Sequence, residues 1–208
     1  MTNITSNPPG GFYRRYGKRM LDIFLSIVSI VAFLPLFLIM AAVIRRDSPG
    51  PIFYVQDRLG YQGKIFKAYK FRTMTHAPRN SDHEVMPGDP ELTRAGAFFR
   101  RFKLDELAQL INVLRGEMSV IGPRPALPRQ LAEYDANGRK RLQVKPGLSG
   151  LAQIRGNIYL SWPERWVYDA EYVDRCSLGL DLWIIWRTIA VAVRGEEKFL
   201  VRPDGKKD

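Results

Sequence analysis

Hydrophobic and polar positions follow different periods along this chain, and each period predicts a different element. From Ile23 to Ile44 the sequence IFLSIVSIVAFLPLFLIMAAVI carries no charge. About 20 such residues cross a bilayer core. Pro35 stands near the middle, where it removes a backbone hydrogen bond and kinks a helix. Basic residues flank both ends, Arg14, Arg15, Lys18 and Arg19 before the run and Arg45 and Arg46 after it. Loops rich in Lys and Arg stay on the cytoplasmic side, so a spanning helix collects them at one end only. Two basic ends predict a hairpin that enters and leaves through one face. Its limbs, Ile23–Leu34 and Pro35–Ile44, would each be about 15–18 Å long. A kinked transmembrane helix is the simpler alternative.

Beyond the run, Asp47-Ser48-Pro49-Gly50-Pro51 ends any helix. Ile52–Val55 and Lys64–Thr73 read as strands joined by a turn around Gly60–Gly63. Alternation puts Phe66, Ala68, Lys70 and Arg72 on one face of the second strand. Lys70 and Arg72, two positions apart, can grip a phosphate or simply guard a solvated edge. Thr75–Leu92 lacks periodicity and reads as a surface loop of the kind that serves as a lid; its His76 and His83 lack a metal-ligand spacing. Leu104, Leu107, Leu110, Ile111 and Leu114 recur at helical spacing, and Gly116 suits the C-terminal cap. Leu127–Asn137 is a further helix. Ser161–Val173 and Leu178–Val193 carry Trp162, Trp166, Trp183 and Trp186 among charges and read as interfacial amphipathic helices. The segment Phe12–Asp22, with aromatics among cations, has the same character.

Composition narrows the partners. A chain of 208 residues, 46% hydrophobic, builds one compact core beside the apolar run. Its formal net charge of +11 calls for a polyanion. No zinc-finger or RNP spacing is present, so no nucleic-acid partner is expected, and lipid headgroups and phosphates take precedence. Cys176 is the only cysteine, which excludes intramolecular disulfides and Cys-cluster zinc sites and suits a cytosolic face. No small-residue cleavage site follows the apolar run, so it does not read as a cleaved signal.

Candidate chemistry gathers around Asp105 and Glu106, off the apolar stripe and just after Arg100, Arg101 and Lys103. Acidic residues in a first turn often do no more than complement the helix dipole. The same position lowers a carboxylate pKa and attracts phosphate, and a carboxylate pair can bind Mg²⁺ or attack phosphorus. Pro123 and Pro125 stiffen the backbone around Arg124, whose guanidinium suits a bidentate phosphate. Pro146-Gly147-Leu148-Ser149-Gly150 is a turn that can approach a ligand through backbone amides.

Taken together these pieces resemble the small monotopic phosphoglycosyl transferases, also called bacterial sugar transferases, from about Tyr16 to Gly195. The resemblance rests on Lys18-Arg19-Met20-Leu21-Asp22, Tyr69-Lys70-Phe71-Arg72-Thr73-Met74, Leu104 to Leu114, Met118 to Pro125, Lys145 to Gln153, and Leu180-Asp181-Leu182. It implies an α+β monotopic membrane protein with an N-terminal re-entrant helix-break-helix at Pro35. A small β-hairpin and interfacial amphipathic helices would surround a compact cytosolic catalytic domain. The expected division is a tail at 1–11, an interfacial and re-entrant helix at 12–46, the catalytic domain at 47–195 and a basic tail at 196–208. Such proteins move a sugar 1-phosphate from a nucleotide-sugar, UDP-linked by expectation, to polyprenyl phosphate. The reaction runs on the cytoplasmic face of the bacterial inner membrane and releases UMP. By the resemblance Asp105 is the nucleophile, Glu106 its partner with Mg²⁺, Lys70, Arg100 and Arg124 line the phosphate pocket, and Asp181 is an acid near the site. Anionic lipids and a homodimer complete the expected partners. Leu34 stands where the family often has serine before the proline, and the extra spans of larger members are not seen. Read from the residues alone, the rival is a non-enzymatic basic adaptor on anionic lipid.

Overall fold

An uncharged run with no polar face satisfies its backbone internally and leaves its side chains to whatever surrounds it. In the computed structural model, which describes residues 11–75, 89 and 91–194, this run lies within helix α1, Lys18–Asp47. A π-helical turn, Tyr13–Gly17, leads into it. The helical stretch Tyr13–Asp47 is long and apolar enough to cross a membrane, and only 11% of its most apolar window is buried. A soluble core helix would be covered, whereas here Phe24, Val31, Leu38 and Ile39 are all at least 60% exposed. Pro35 lies inside α1, so the two limbs anticipated from the sequence are one helix rather than two. Proline withholds a single amide, the one that would reach the carbonyl of Val31, and hydrogen bonding resumes beyond it.

Both ends of α1 are fastened to the rest of the protein. At the start, Arg19 donates to the carbonyls of Val113 and Leu114 at 2.5 and 2.8 Å. Asp22 accepts from the Ser119 hydroxyl and the Val120 amide, each at 2.9 Å. At the other end Met40 and Ile44 are buried in a cluster with Phe71, Phe99 and Ala108. Asp47 accepts from the Ala95 amide at 3.1 Å.

The body beyond α1 begins with an antiparallel hairpin, β1 (Phe53–Leu59) and β2 (Ile65–Phe71), registered with Phe53 opposite Phe71 and Leu59 opposite Ile65. Its turn spans Gly60–Gly63, as expected. Period-2 alternation buries Phe66 and Ala68 and exposes Ile65 and Lys67. Helix α2 (Arg94–Arg101) starts at Thr93, whose hydroxyl accepts from the Gly96 amide at 2.9 Å. Gly96 lies so close to the Thr73 carbonyl that a Cβ there would stand 1.9 Å from its oxygen. Lys103, in the left-handed conformation at φ 55°, separates α2 from a 3₁₀ segment, Leu104–Gln109. That segment continues into α3 (Leu110–Arg115), which Gly116 closes at φ 82°.

Strand β3 (Ser119–Ile121) pairs in parallel with β4 (Gly147–Ser149). The expected helix Leu127–Asn137 is instead a 3₁₀ segment, Pro128–Glu133, followed by α4 (Ala136–Lys140). Asp135 starts the new helix by accepting from the Gly138 amide at 2.7 Å. Helices α5 (Leu151–Arg155), α6 (Trp162–Arg175) and α7 (Leu178–Arg194) complete the body. Ile121, Leu151, Ile154, Tyr172 and Ile184 form its core. Leu178, Leu182, Trp186 and Ile189 of α7 are exposed, in keeping with an interfacial face. The expected lid with its two histidines (76–88) and both expected tails lie largely or wholly outside the described residues.

Candidate active site

Four elements converge on one polar corner. β2 supplies Lys70, the 3₁₀ segment Asp105 and Glu106, α2 Arg100, and the Pro-flanked turn after β3 Arg124. Glu106 is the hub. Lys70 Nζ donates to its Oε1 at 2.9 Å. Arg124 donates through Nη2 to Oε1 at 2.5 Å and through Nη1 to Oε2 at 3.0 Å, a bidentate fork. Burial alone would raise the Glu106 pKa, but Arg124 and then Lys70 outweigh it and hold the carboxyl well below its usual range. Glu106 is therefore held as an anion between two cations.

Asp105 is the opposite case. It is only 5% exposed. Burial first, and the Glu106 charge next, push its pKa up, while Lys70 and Arg100 pull against them without winning. The first-turn effect expected to lower a carboxylate pKa does not prevail at Asp105, because desolvation is the larger effect. Its carboxylate accepts from its own backbone amide. Arg100 is steadied by donating from Nε to Thr73 Oγ1 at 2.9 Å.

Arg124 is positioned from behind. Its carbonyl accepts from Arg141 Nη2 at 2.5 Å. Arg141 is itself buried, paired with Asp169 at 3.0 Å and bonded to the Tyr134 hydroxyl at 2.8 Å. Burial raises the Asp169 pKa to about 6 against the pull of Arg141 and Arg165.

Four residues expected at or near the site spend their hydrogen bonds on other parts of the fold. Arg72 is buried, and its guanidinium donates to the carbonyls of Pro49, Ile44 and Ser48 at 2.7, 3.3 and 2.6 Å. It closes the C-terminus of α1 rather than gripping phosphate, because β2 ends at Phe71 and the next residue turns toward that helix. The Gly147 amide, expected to face a ligand, donates to the Pro123 carbonyl at 2.9 Å, and the Pro146 carbonyl accepts from Ser119 at 2.8 Å. These two residues serve the parallel pairing of β3 and β4. Asp181 is fully buried. It accepts from Tyr13, Lys18 and Tyr172 at 2.5, 2.7 and 2.7 Å, tying the entry of α1 to α6 and α7.

Asp22, Arg141 and Asp169 escaped the sequence reading as named contributors. Asp22 carried a usable signal, an ionisable residue at the mouth of an apolar helix. Arg141 sits in the basic run Arg139-Lys140-Arg141 and is indistinguishable there from its solvated neighbours. As metal ligands, Asp105 and Glu106 have no third partner: no group of three or more His, Cys, Asp or Glu residues is arranged for a metal among the described residues. Two carboxylates fit a Mg²⁺ ion, which commonly takes one or two from the protein and completes its shell with water and substrate phosphate.

The profile of the family described as Bacterial sugar transferase matches residues 13–195. The exopolysaccharide production protein ExoY of Rhizobium meliloti (strain 1021) is 37% identical over 198 residues, covering 88% of this chain and 86% of that protein. An uncharacterized sugar transferase of Bacillus subtilis (strain 168), EpsL, is 40% identical over 172 residues, 83% of this chain and 85% of its own. The undecaprenyl-phosphate glucose phosphotransferase of Komagataeibacter xylinus is 39% identical over 189 residues, 83% of this chain but 35% of its own longer sequence.

Proposed function

Because this chain belongs to the bacterial sugar transferase family, we propose that it is a phosphoglycosyl transferase. It moves a sugar 1-phosphate from a nucleotide-sugar to a polyprenyl phosphate at a membrane surface. The observation that carries the mechanism is the division of labour between neighbouring carboxylates, Glu106 held by Lys70 and Arg124 while Asp105, among the described residues, has no side-chain hydrogen bond or ion pair. An Asp105 carboxylate oxygen attacks the β-phosphorus of the donor, forming an acyl-phosphate bond as the bond to the nucleoside monophosphate breaks. The oxygen of the lipid phosphate then attacks the same phosphorus and returns the electron pair to Asp105. Lys70, Arg100 and Arg124 offset the diphosphate charge in a site already organised to hold it. Asp105 and Glu106 would be the protein ligands of a Mg²⁺, which when bound neutralises phosphate oxygens.

The membrane reading follows from the fastening of α1. Its two ends bond to one compact body, through Arg19 and Asp22 at the start and Met40, Ile44 and Asp47 at the finish. The middle of the helix is left bare. This supports a helix that dips into lipid and keeps both basic ends, and the body, on the cytoplasmic face of the inner membrane. Asp105→Asn tests the chemistry. It should abolish turnover and the labelled-sugar adduct while membrane binding persists; full turnover would remove Asp105 as nucleophile. Release of UMP from a panel of UDP-sugars, with undecaprenyl phosphate as acceptor, identifies the donor. A role as lipid adaptor alone predicts no release from any of them.

A further inference from the structure

Helix α2 carries chemistry on two faces, and the reaction as proposed uses only one. Its inner side buries Phe99 against Met40 and Ile44 of α1 and presents Arg100 toward Thr73 and Asp105. The outer side exposes Phe98 and Phe102, at 55% and 54%. These two rings pack on each other with centroids 4.9 Å apart. Exposed Arg101 lies beside the pair, its guanidinium carbon 5.8 Å from the Phe102 centroid. Phe102 precedes Asp105 by only three positions, across the left-handed Lys103. Together these residues make an apolar ledge with cations at its rim, ending where the reacting carboxylate begins.

We propose that Phe98 and Phe102 form the binding ledge for the isoprenoid chain of the lipid acceptor, next to its phosphate. This deepens the function proposed above and rests on it. The acceptor is an amphiphile with an anionic head and an apolar tail, and the ledge mirrors that order along α2, with Arg100 and Arg101 near the head and the rings beneath the first prenyl units. The docking of α2 on the lipid-directed helix α1 puts the ledge beside the place where such a chain leaves the bilayer. An aromatic pair exposed to water would gain nothing there, since apolar area stabilises only when it is covered. The second half-reaction needs the lipid phosphate aligned with the phosphorylated Asp105, and a tail held beside that residue supplies the alignment.

The test separates the half-reactions. Phe98→Ala/Phe102→Ala is compared with the native protein and with Phe98→Leu/Phe102→Leu, in detergent–lipid mixtures, with undecaprenyl phosphate and geranyl phosphate as acceptors. The native protein must first show a stoichiometric burst of nucleoside monophosphate with donor alone; if it does not, the covalent mechanism fails and not the ledge. Given the burst, the alanine pair should retain it. Its KM should rise about tenfold for undecaprenyl phosphate and likewise for geranyl phosphate, whose two prenyl units are the ones that meet the ledge, and the leucine pair should restore most of the loss. A loss for undecaprenyl phosphate with none for geranyl phosphate, or a KM change that tracks reduced sedimentation with acceptor-free vesicles, would overturn the proposal in favour of bulk membrane anchoring.

Discussion

Lys70→Met isolates the electrostatics of the corner. In the native protein Lys70 Nζ lies 2.9 Å from Glu106 Oε1, with side chains 17% and 15% exposed, so solvent screens the pair only weakly. Methionine keeps the length of the side chain and removes the charge. Glu106 retains the Arg124 fork, which limits the stability loss to one charge-assisted hydrogen bond, about 1.5–3 kcal/mol. For a chain of this size that lowers Tm by about 3–12 °C. Asp105 is affected differently. Burial and Glu106 raise its pKa, and Lys70 is the first of the groups that lower it. Removing Lys70 raises it further. An Asp105 that must be ionised to attack gives activity that climbs with pH, so the acid limb of kcat/KM should move to higher pH. On the plateau, kcat/KM should fall about 10²–10³-fold, the loss typical of one stabilising donor at a reacting oxyanion. The assay is nucleoside monophosphate release against pH, paired with thermal unfolding in the same detergent. An acid limb that stays in place, or moves to lower pH, would refute the assignment of Asp105 as the titrating nucleophile held by these cations.

Further outcomes follow from the same contacts. Arg72→Met uncovers the carbonyls of Ile44, Ser48 and Pro49 and should lower stability by about 1.5–3 kcal/mol, without displacing the acid limb as Lys70→Met does. Gly147→Ala would place a Cβ 2.1 Å from the Gly122 nitrogen; overpacking against backbone should cost about 3 kcal/mol or more, visible as lost expression or a collapsed melting transition. Asp169 titrates near 6 in the folded protein, above the unfolded value. Its contribution to stability is therefore complete at low pH and declines as pH rises toward and through about 6. Asp169→Asn should remove that part of the slope when Tm is followed from pH 4 to 7.

What the sequence disclosed and what it concealed divide along a physical line. The apolar run, the hairpin around Gly60–Gly63, the Leu104–Leu114 stripe with its Gly116 cap, and helices α6 and α7 all carry local periodicity or a turn residue, and all appear within a few positions of where they were expected. The corner of Lys70, Arg100, Asp105, Glu106 and Arg124 was legible because motifs far apart in sequence resembled one family. Arg72 was misjudged because spacing along a strand says nothing about which carbonyls lie beyond its end. Gly147 was misjudged for a related reason: a Pro-Gly turn and the start of a parallel strand look alike until the partner strand is known. Helix α2 went unread because its eight residues are too few to show a period, and its register is set by Gly96 against Thr73, a long-range contact.

The attachment of α1 at both ends has a consequence for anyone wishing to make a water-soluble version. Deleting the greasy helix would do more than cut a tether. It would strip Arg19 from the end of the helix behind Asp105 and Asp22 from β3, and it would take the Ile44 carbonyl from Arg72. The helix is better compared to a ship's keel than to its anchor chain. Solubility would have to come from repainting its bare middle with polar side chains, leaving both joints untouched.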